Sequence, residues 1–290
     1  MPTYLPFDPE PRPAREMPPM LACDSQFHVL GPRERYPVRP GAVYEMPTAT
    51  IEAALRMHRV LGITRGIIVQ PTTYGADHSA TLDGLKVAGA GYKACANAIV
   101  FNEADDAYIA KLDAAGVKGA RFTRAGLGVK LEPKDFERAI ARVRELGWYV
   151  KVQPETDGFA AGAAPYETLK IPVIIDHMGR PDVTQGLAEP TVRKVVELLK
   201  RGNFWVMLSL VEKTSKAGPP WDDVLPVARA YIEAAPDRII WGSDWPHPVS
   251  VKQPPNEGDL LDFLTRCAPD PQERQRILVD NPAKLFGFSP

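Results

Sequence analysis

Short apolar runs recur along the chain beside Gly, Pro or polar residues, and longer stretches with helical spacing separate them. The runs are MLACDSQFHVLG, GIIVQPTTYG, YKACANAIVF, VKGARFTR, WYVKVQPE, IPVIIDHMGRP, FWVMLSLVE and RIIWGSDWPHP. Amphipathic stretches lie between them at Thr50–Val60, Ala104–Ala115, Lys134–Leu146, Thr191–Lys200 and Asp222–Ala234, with apolar residues at i, i+3 and i+4. Pro133 precedes the third of these and Gly147 follows it, so both of its ends carry a chemical boundary signal. Runs this apolar do not suit a sheet with one wet face. They suit parallel strands covered by helices. A doubly wound sheet is expected to show a glycine fingerprint after its first strand, and DSQFHVLG contains no G-x-G-x-x-G. The count of strand-like runs therefore predicts an α/β fold, a single-domain (β/α)8 TIM barrel over residues 20–290.

Residues 1–19 read differently. The chain has 30 prolines, and seven of them fall in the first 20 residues. Proline denies both helix and central strand, so this segment is expected to be an extended arm. A formal net charge of −1 argues against a nucleic-acid groove, which needs a basic excess. Cys23, Cys95 and Cys267 are scattered and odd in number, which fits a reducing compartment better than a disulfide framework. No stretch approaches the roughly 18 apolar residues of a membrane span. The N-terminus lacks the charged-then-apolar order of a signal peptide. The expectation is a cytoplasmic enzyme, a monomer or small homo-oligomer, with no nucleic-acid or membrane partner.

In such barrels the chemistry stands on the C-terminal ends of the strands. The polar residues there are Gln26 and His28 on the first strand, Gln70 on the second, and Arg121 with Arg124 on the fourth. Gln153 and Glu155 end the fifth, Asp176, His177 and Arg180 the sixth, and Ser209, Glu212 and Lys213 the seventh. Asp244, Trp245 and His247 end the eighth. A site that activates water needs a base, donors for a developing negative charge and a grip on the rest of the substrate. Asp244 offers a carboxylate, His28 and His177 can donate to an oxyanion, and Gln26 can donate through its amide. Arg121, Arg124, Arg180 and Lys213 offer forks and a point charge to an anionic substrate. These residues have structural alternatives: His28 as a satisfied core histidine, Asp244 as a helix cap, Arg180 in an ion pair with Asp182, and Arg124 and Lys213 on solvated loops. Asp24 is expected to orient the first strand, while the Pro-His-Pro turn leaves His247 open between the site and a place behind it. His58 within a helix and His78 in a polar loop receive no functional reading.

The segments DSQFHVLGP, IDHMGRPDVTQG, AGPPWDD and DRIIWGSDWPHP resemble the amidohydrolase-related lactonases, above all the 2-pyrone-4,6-dicarboxylate lactonases. The resemblance runs from about Met20 to the C-terminal LVDNPAKLFGF. It implies a (β/α)8 barrel whose first strand ends Asp-x-His-x-His, with a histidine on the sixth strand and a basic aspartate on the eighth. His28, His177 and Asp244 match these places, while Gln26 replaces the first histidine, as in the related galactarolactone isomerases. Tyr44 matches a substrate-contacting tyrosine, and Arg121 and Arg180 match family arginines. Gln153 stands where the dicarboxylate lactonases have tyrosine, Lys213 where they have arginine, and Leu127 where they have a further arginine that Arg124 does not replace.

Metal-binding relatives of this barrel use histidines from the first, fifth and sixth strands. Here those places include the amides of Gln26 and Gln153, and Arg121 adds a fixed positive charge. No metal and no cofactor is expected. The reading is a metal-independent lactonase acting on a small anionic lactone or pyrone in aromatic-acid or sugar-acid breakdown. A lactone isomerase and a decarboxylase of the same superfamily are the alternatives.

Overall fold

The computed structural model describes residues 4–123 and 131–289. Eight strands, β1 (Cys23–Phe27), β2 (Arg65–Val69), β3 (Tyr92–Asn97), β4 (Val117–Thr123), β5 (Tyr149–Gln153), β6 (Val173–Ile175), β7 (Phe204–Leu208) and β8 (Ile239–Trp241), pair in sequence order, each parallel to the next. The ring closes just beyond the strand ends. Phe27 bridges Trp245 in parallel, Asp244 N–H donates to Gln26 O at 3.0 Å, and His28 N–H donates to Trp245 O at 2.7 Å. The expected single-domain (β/α)8 barrel is the observed fold.

Both faces of the sheet are buried, which is why its strands read as apolar runs. Inside the barrel, Cys23, Ile67, Cys95, Ile174, Met207 and Ile240 fill the centre, and Phe286 and Phe288 pack with Tyr149 and Trp205 at its lower end. A Cβ on Gly119 would stand 2.2 Å from the Tyr149 ring, so only glycine lets β4 pass beside it. A second, larger cluster lies between the strands and the outer helices.

Helix boundaries follow local chemistry. The Ile51–Leu61 helix starts at Thr50, whose side chain accepts from Ala53 N–H, and stops at Gly62 with φ 75°. The Pro133–Glu145 helix has proline in its first turn and is followed by Gly147 at φ 65°. The expected helix over Asp222–Ala234 begins later, at Leu225, because the preceding residues form a turn and Pro226 lies in the first helical turn. Between β5 and β6 the regular alternation weakens to short turns at Ala160–Gly162 and Ala164–Glu167, where Pro154, Gly158, Gly162 and Pro165 interrupt the chain. No described helix is long and apolar enough to cross a membrane.

Residues 4–19 carry neither helix nor strand and lie along the chain's own barrel. Leu5 N–H donates to Ser250 O at 2.9 Å, the Phe7 ring meets Trp245 at 4.6 Å, and Arg12 N–H donates to Asn256 Oδ1 at 2.9 Å.

Candidate active site

At the C-terminal end of the barrel, one polar cavity gathers His28, Tyr44, Arg121, Gln153, His177, Arg180, Lys213 and Asp244, all anticipated from the sequence. Gln26 lies fully buried beside it, against Asp244 and His177. Arg124 falls outside the described residues. A larger, mostly apolar cavity around Phe122, Phe136 and Tyr166 shares only Arg121 with the polar one. His28, His177, Arg180, Lys213 and Asp244 converge on the polar cavity, which makes it the candidate site.

Unusual backbone aims the side chains. After β6, His177, Met178, Gly179 and Arg180 all have positive φ, between 52° and 79°. For non-glycine residues such conformations cost about 1–3 kcal/mol each, so the surroundings must hold them. Phe159 N–H donates to Gly179 O at 2.8 Å and Tyr231 Oη–H to Met178 O at 3.1 Å. Asp244 is also left-handed, with φ 62°, which rules out a helix-cap role; the next helix is Glu257–Cys267. Its neighbour Ser243 is pinned by Asp24, which accepts from Ser243 N–H at 3.0 Å, Ser243 Oγ–H at 2.5 Å and Gln26 N–H at 3.1 Å. His58 donates to the same Asp24 carboxylate at 3.1 Å, so this helical histidine supports the seam that presents Asp244. A Cβ on Gly242 would come within 2.9 Å of Gln26 Cβ, so glycine is what allows β8 to approach β1 there.

The Asp244 carboxylate is asymmetric. Oδ1 accepts from Gln26 Nε2 at 2.7 Å and from His28 Nε2 at 3.3 Å, while Oδ2 has no hydrogen-bond partner among the described residues. Burial alone would raise its pKa, but His177, the contact and charge of His28, and Lys213 hold it well below the usual carboxylate range. It is an anion at neutral pH with one oxygen turned to the cavity. His28 Nδ1–H donates to Val69 O at 2.7 Å, which fixes the ring.

His177 is arranged differently from the sequence expectation of a donor. Its Nε2 faces Arg121 Nη2 at 3.2 Å and Gln26 Nε2 at 3.4 Å, both donors, so this nitrogen accepts. Nδ1–H then donates to Ser209 Oγ at 2.9 Å. Burial pushes the ring's pKa down to about 4, against the opposing pull of Asp176 and Asp244. The Gln26 amide likewise spends its N–H groups on Asp244 and His177, where the sequence suggested a substrate oxygen.

Arg121 is only partly available to a ligand, since its Nε and Nη2 donate to Asp176 Oδ2 at 3.0 and 2.6 Å. Lys151 Nζ lies 3.4 Å from the other oxygen of Asp176. Burial would raise the Asp176 pKa, but His177, Lys151 and Arg121 together drive it far down. Lys151 escaped the sequence reading. Its signal was a lone lysine inside the run WYVKVQ, in a sheet whose two faces are both covered. Arg180 is half-buried, and its guanidinium has no hydrogen-bond or ion-pair partner among the described residues; Asp182 bonds Thr184 and Gln185 instead. The loop-pairing alternative for Arg180 is not what the structure shows. Lys213 Nζ donates to Pro248 O at 2.7 Å, and Tyr44 Oη accepts from Thr72 Oγ1–H at 3.0 Å. Thr72, Leu210, Pro248 and Val249 complete the wall, and these lay outside the sequence reading because each enters from a loop.

A divalent cation does not fit this donor set. The accepting nitrogen of His177 is already faced by a guanidinium and an amide, and His28 Nε2 and Gln26 Nε2 both point at the same oxygen of Asp244. Among the described residues, no group of three or more His, Cys, Asp or Glu side chains is placed to hold a metal.

The sequence model of the amidohydrolase family matches residues 23–288. The chain is similar to the 4-sulfomuconolactone hydrolase of Hydrogenophaga intermedia, with 35% identity over 283 residues, covering 95% of this chain and 91% of that protein. It is also similar to the D-galactarolactone isomerase of Agrobacterium fabrum, with 31% identity over 277 residues, covering 94% and 93%. Among solved structures, a probable 2-pyrone-4,6-dicarboxylic acid hydrolase of Acinetobacter baumannii, crystallised with citric acid, superposes with a TM-score of 0.77 at 26% identity. It covers 93% of this chain and 100% of that one.

Proposed function

The chain belongs to the amidohydrolase family, and from that premise we propose that it is a lactonase: it hydrolyses a small lactone bearing an anionic group and needs no metal ion. One observation carries the reading. A buried carboxylate with an unpartnered oxygen shares its cavity with the half-buried cations Arg180 and Lys213. The first is a base for water, and the second pair is a seat for an anion. The relatives' names support it, since one acts on a sulfonated lactone and the structural neighbour holds a tricarboxylic acid.

In this mechanism a water lies between Asp244 Oδ2 and the lactone carbonyl carbon. As the new C–O bond forms, Asp244 takes the water proton and the carbonyl oxygen becomes an oxyanion. His28, whose contact with Asp244 is long at 3.3 Å, donates Nε2–H to that oxygen. The intermediate collapses with cleavage of the ring C–O bond, and the proton on Asp244 passes to the leaving oxygen. His177 holds the Arg121 guanidinium in place, and Arg180, Lys213, Tyr44 and Gln153 orient the substrate. Arg124 belongs to the same proposal on sequence grounds alone.

A lactone isomerase is the second reading, favoured by the glutamine at position 26 and by the similarity to the galactarolactone isomerase. There the attacking oxygen is the substrate's own hydroxyl. Turnover of a panel of carboxylated and sulfonated lactones in 18O-labelled water decides between them. Hydrolysis places solvent oxygen in the product acid, and isomerisation does not.

A further inference from the structure

Two segments build the side of the cavity that carries Lys213: the one-turn helix Val211–Thr214 and the loop that follows Asp244. They are tied twice. Lys213 Nζ–H donates to Pro248 O at 2.7 Å, and one residue earlier on each segment His247 Nδ1–H donates to Glu212 Oε1 at 3.3 Å. The other ring nitrogen of His247 donates to Glu257 Oε1 at 3.2 Å, at the start of the Glu257–Cys267 helix. The side chains of His247 and Glu257 are wholly buried, and that of Glu212 is 11% exposed. Both ring nitrogens face carboxylates, so the ring is an imidazolium. Burial works against that state, but the hydrogen bonds and charges of Glu212 and Glu257 raise the pKa to about 10. The loop is also closed on itself, with Ser250 Oγ–H on His247 O at 2.8 Å and His247 N–H on Asp244 O at 2.7 Å. Pro248 and Val249, the next two residues, face the cavity.

We propose that His247 is a positioning residue for anion binding: bridged between Glu212 and Glu257, it sets the Pro248 carbonyl and through it the place of the Lys213 ammonium. The histidine touches no substrate and acts through the lysine. The inference rests on the reading of this cavity as the seat of an anionic lactone.

A double-mutant cycle tests it. His247→Gln should raise KM for an anionic lactone about tenfold, while kcat changes less than about threefold and a neutral lactone is unaffected. In a Lys213→Met background the same substitution should add nothing to KM. Equal KM effects in both backgrounds, or a matched loss on charged and neutral substrates, would overturn the inference. If His247→Gln does not fold, Glu212→Gln takes its place in the cycle with the same expectations, since it keeps the shape and removes one anchoring charge. A crystal structure of the folded variant reads the geometry without any turnover. Lys213 Nζ should have left the Pro248 carbonyl, and an unchanged contact refutes the idea. A wild-type enzyme that opens no lactone sinks the proposed function instead, and the crystallographic result still stands or falls by itself.

Discussion

Arg121 Nη2 reaches His177 Nε2 at 3.2 Å, a permanently charged donor against the nitrogen that a metal ion would otherwise occupy. The same guanidinium is locked to Asp176, which Lys151 flanks from the other side. Arg121 therefore cannot swing away cheaply, because breaking a buried ion pair costs about 3–5 kcal/mol.

Prolonged dialysis against a strong chelator should leave turnover within experimental error of the untreated enzyme. Loss of activity that zinc or manganese restores would show that the cavity rearranges around a cation, and the metal-free mechanism would be wrong.

Asp244→Asn should lower kcat by about 100-fold or more, because an amide cannot take the proton of water. The melting temperature should change little beyond the adjustment of the Gln26 and His28 contacts on Oδ1. Near-normal hydrolysis by a folded variant would move the base elsewhere.

Arg180→Met should reduce kcat/KM for anionic lactones about ten- to a hundredfold, since a charge-assisted contact is worth roughly 1.5–3 kcal/mol. A neutral lactone of similar shape should lose little. Arg180→Lys should recover only part, because an ammonium lacks the planar fork. Equal losses on charged and neutral substrates would mean that Arg180 shapes the turn and does not grip the anion.

Stability should peak near pH 6.5 as far as the buried histidines decide it. His177 and His78 are both pushed down from 6.5 to about 4 by burial, so the folded protein keeps them neutral. Below pH 6.5 the unfolded chain binds their protons and the folded one does not, and stability falls toward pH 4. His247 is raised to about 10, so its contribution is full below pH 6.5 and is lost as pH climbs toward 10. Denaturant titrations across pH 4–10 on wild type, His247→Gln and His78→Gln resolve the two limbs. A His247→Gln profile with an undiminished alkaline fall would show that the imidazolium is not its source.

Much of this site was readable because barrel strands buried on both faces write themselves as apolar runs, and the polar residues closing those runs stand at one rim. His28, His177, Arg121 and Asp244 stood out on that logic. What escaped reading depends on partners distant in sequence. Whether His177 donates or accepts is decided by Arg121, 56 residues away, and by Ser209, 32 residues away. The role of His58 depends on Asp24, 34 residues earlier. The left-handed backbone at Asp244 and Arg180 carries no local signature, since neither residue is glycine and tertiary contacts impose the conformation. The connection from β5 to β6 broke the alternation for the opposite reason: its prolines and glycines were visible, and they prevented a full helix.

The candidate base and its neighbours belong to opposite ends of the ring. Gln26 lies near the end of β1 and His28 follows it, Asp244 follows β8, and they meet where Phe27 bridges Trp245. A barrel that has assembled seven strands, or has let its eighth peel away, keeps most of its core but has no such constellation. Turnover is therefore expected only from chains whose β1–β8 seam has closed. An activity assay on a refolding sample counts topological completion, while fluorescence or circular dichroism counts collapsed and closed molecules together. The lag between those signals is a direct clock for sealing the seam.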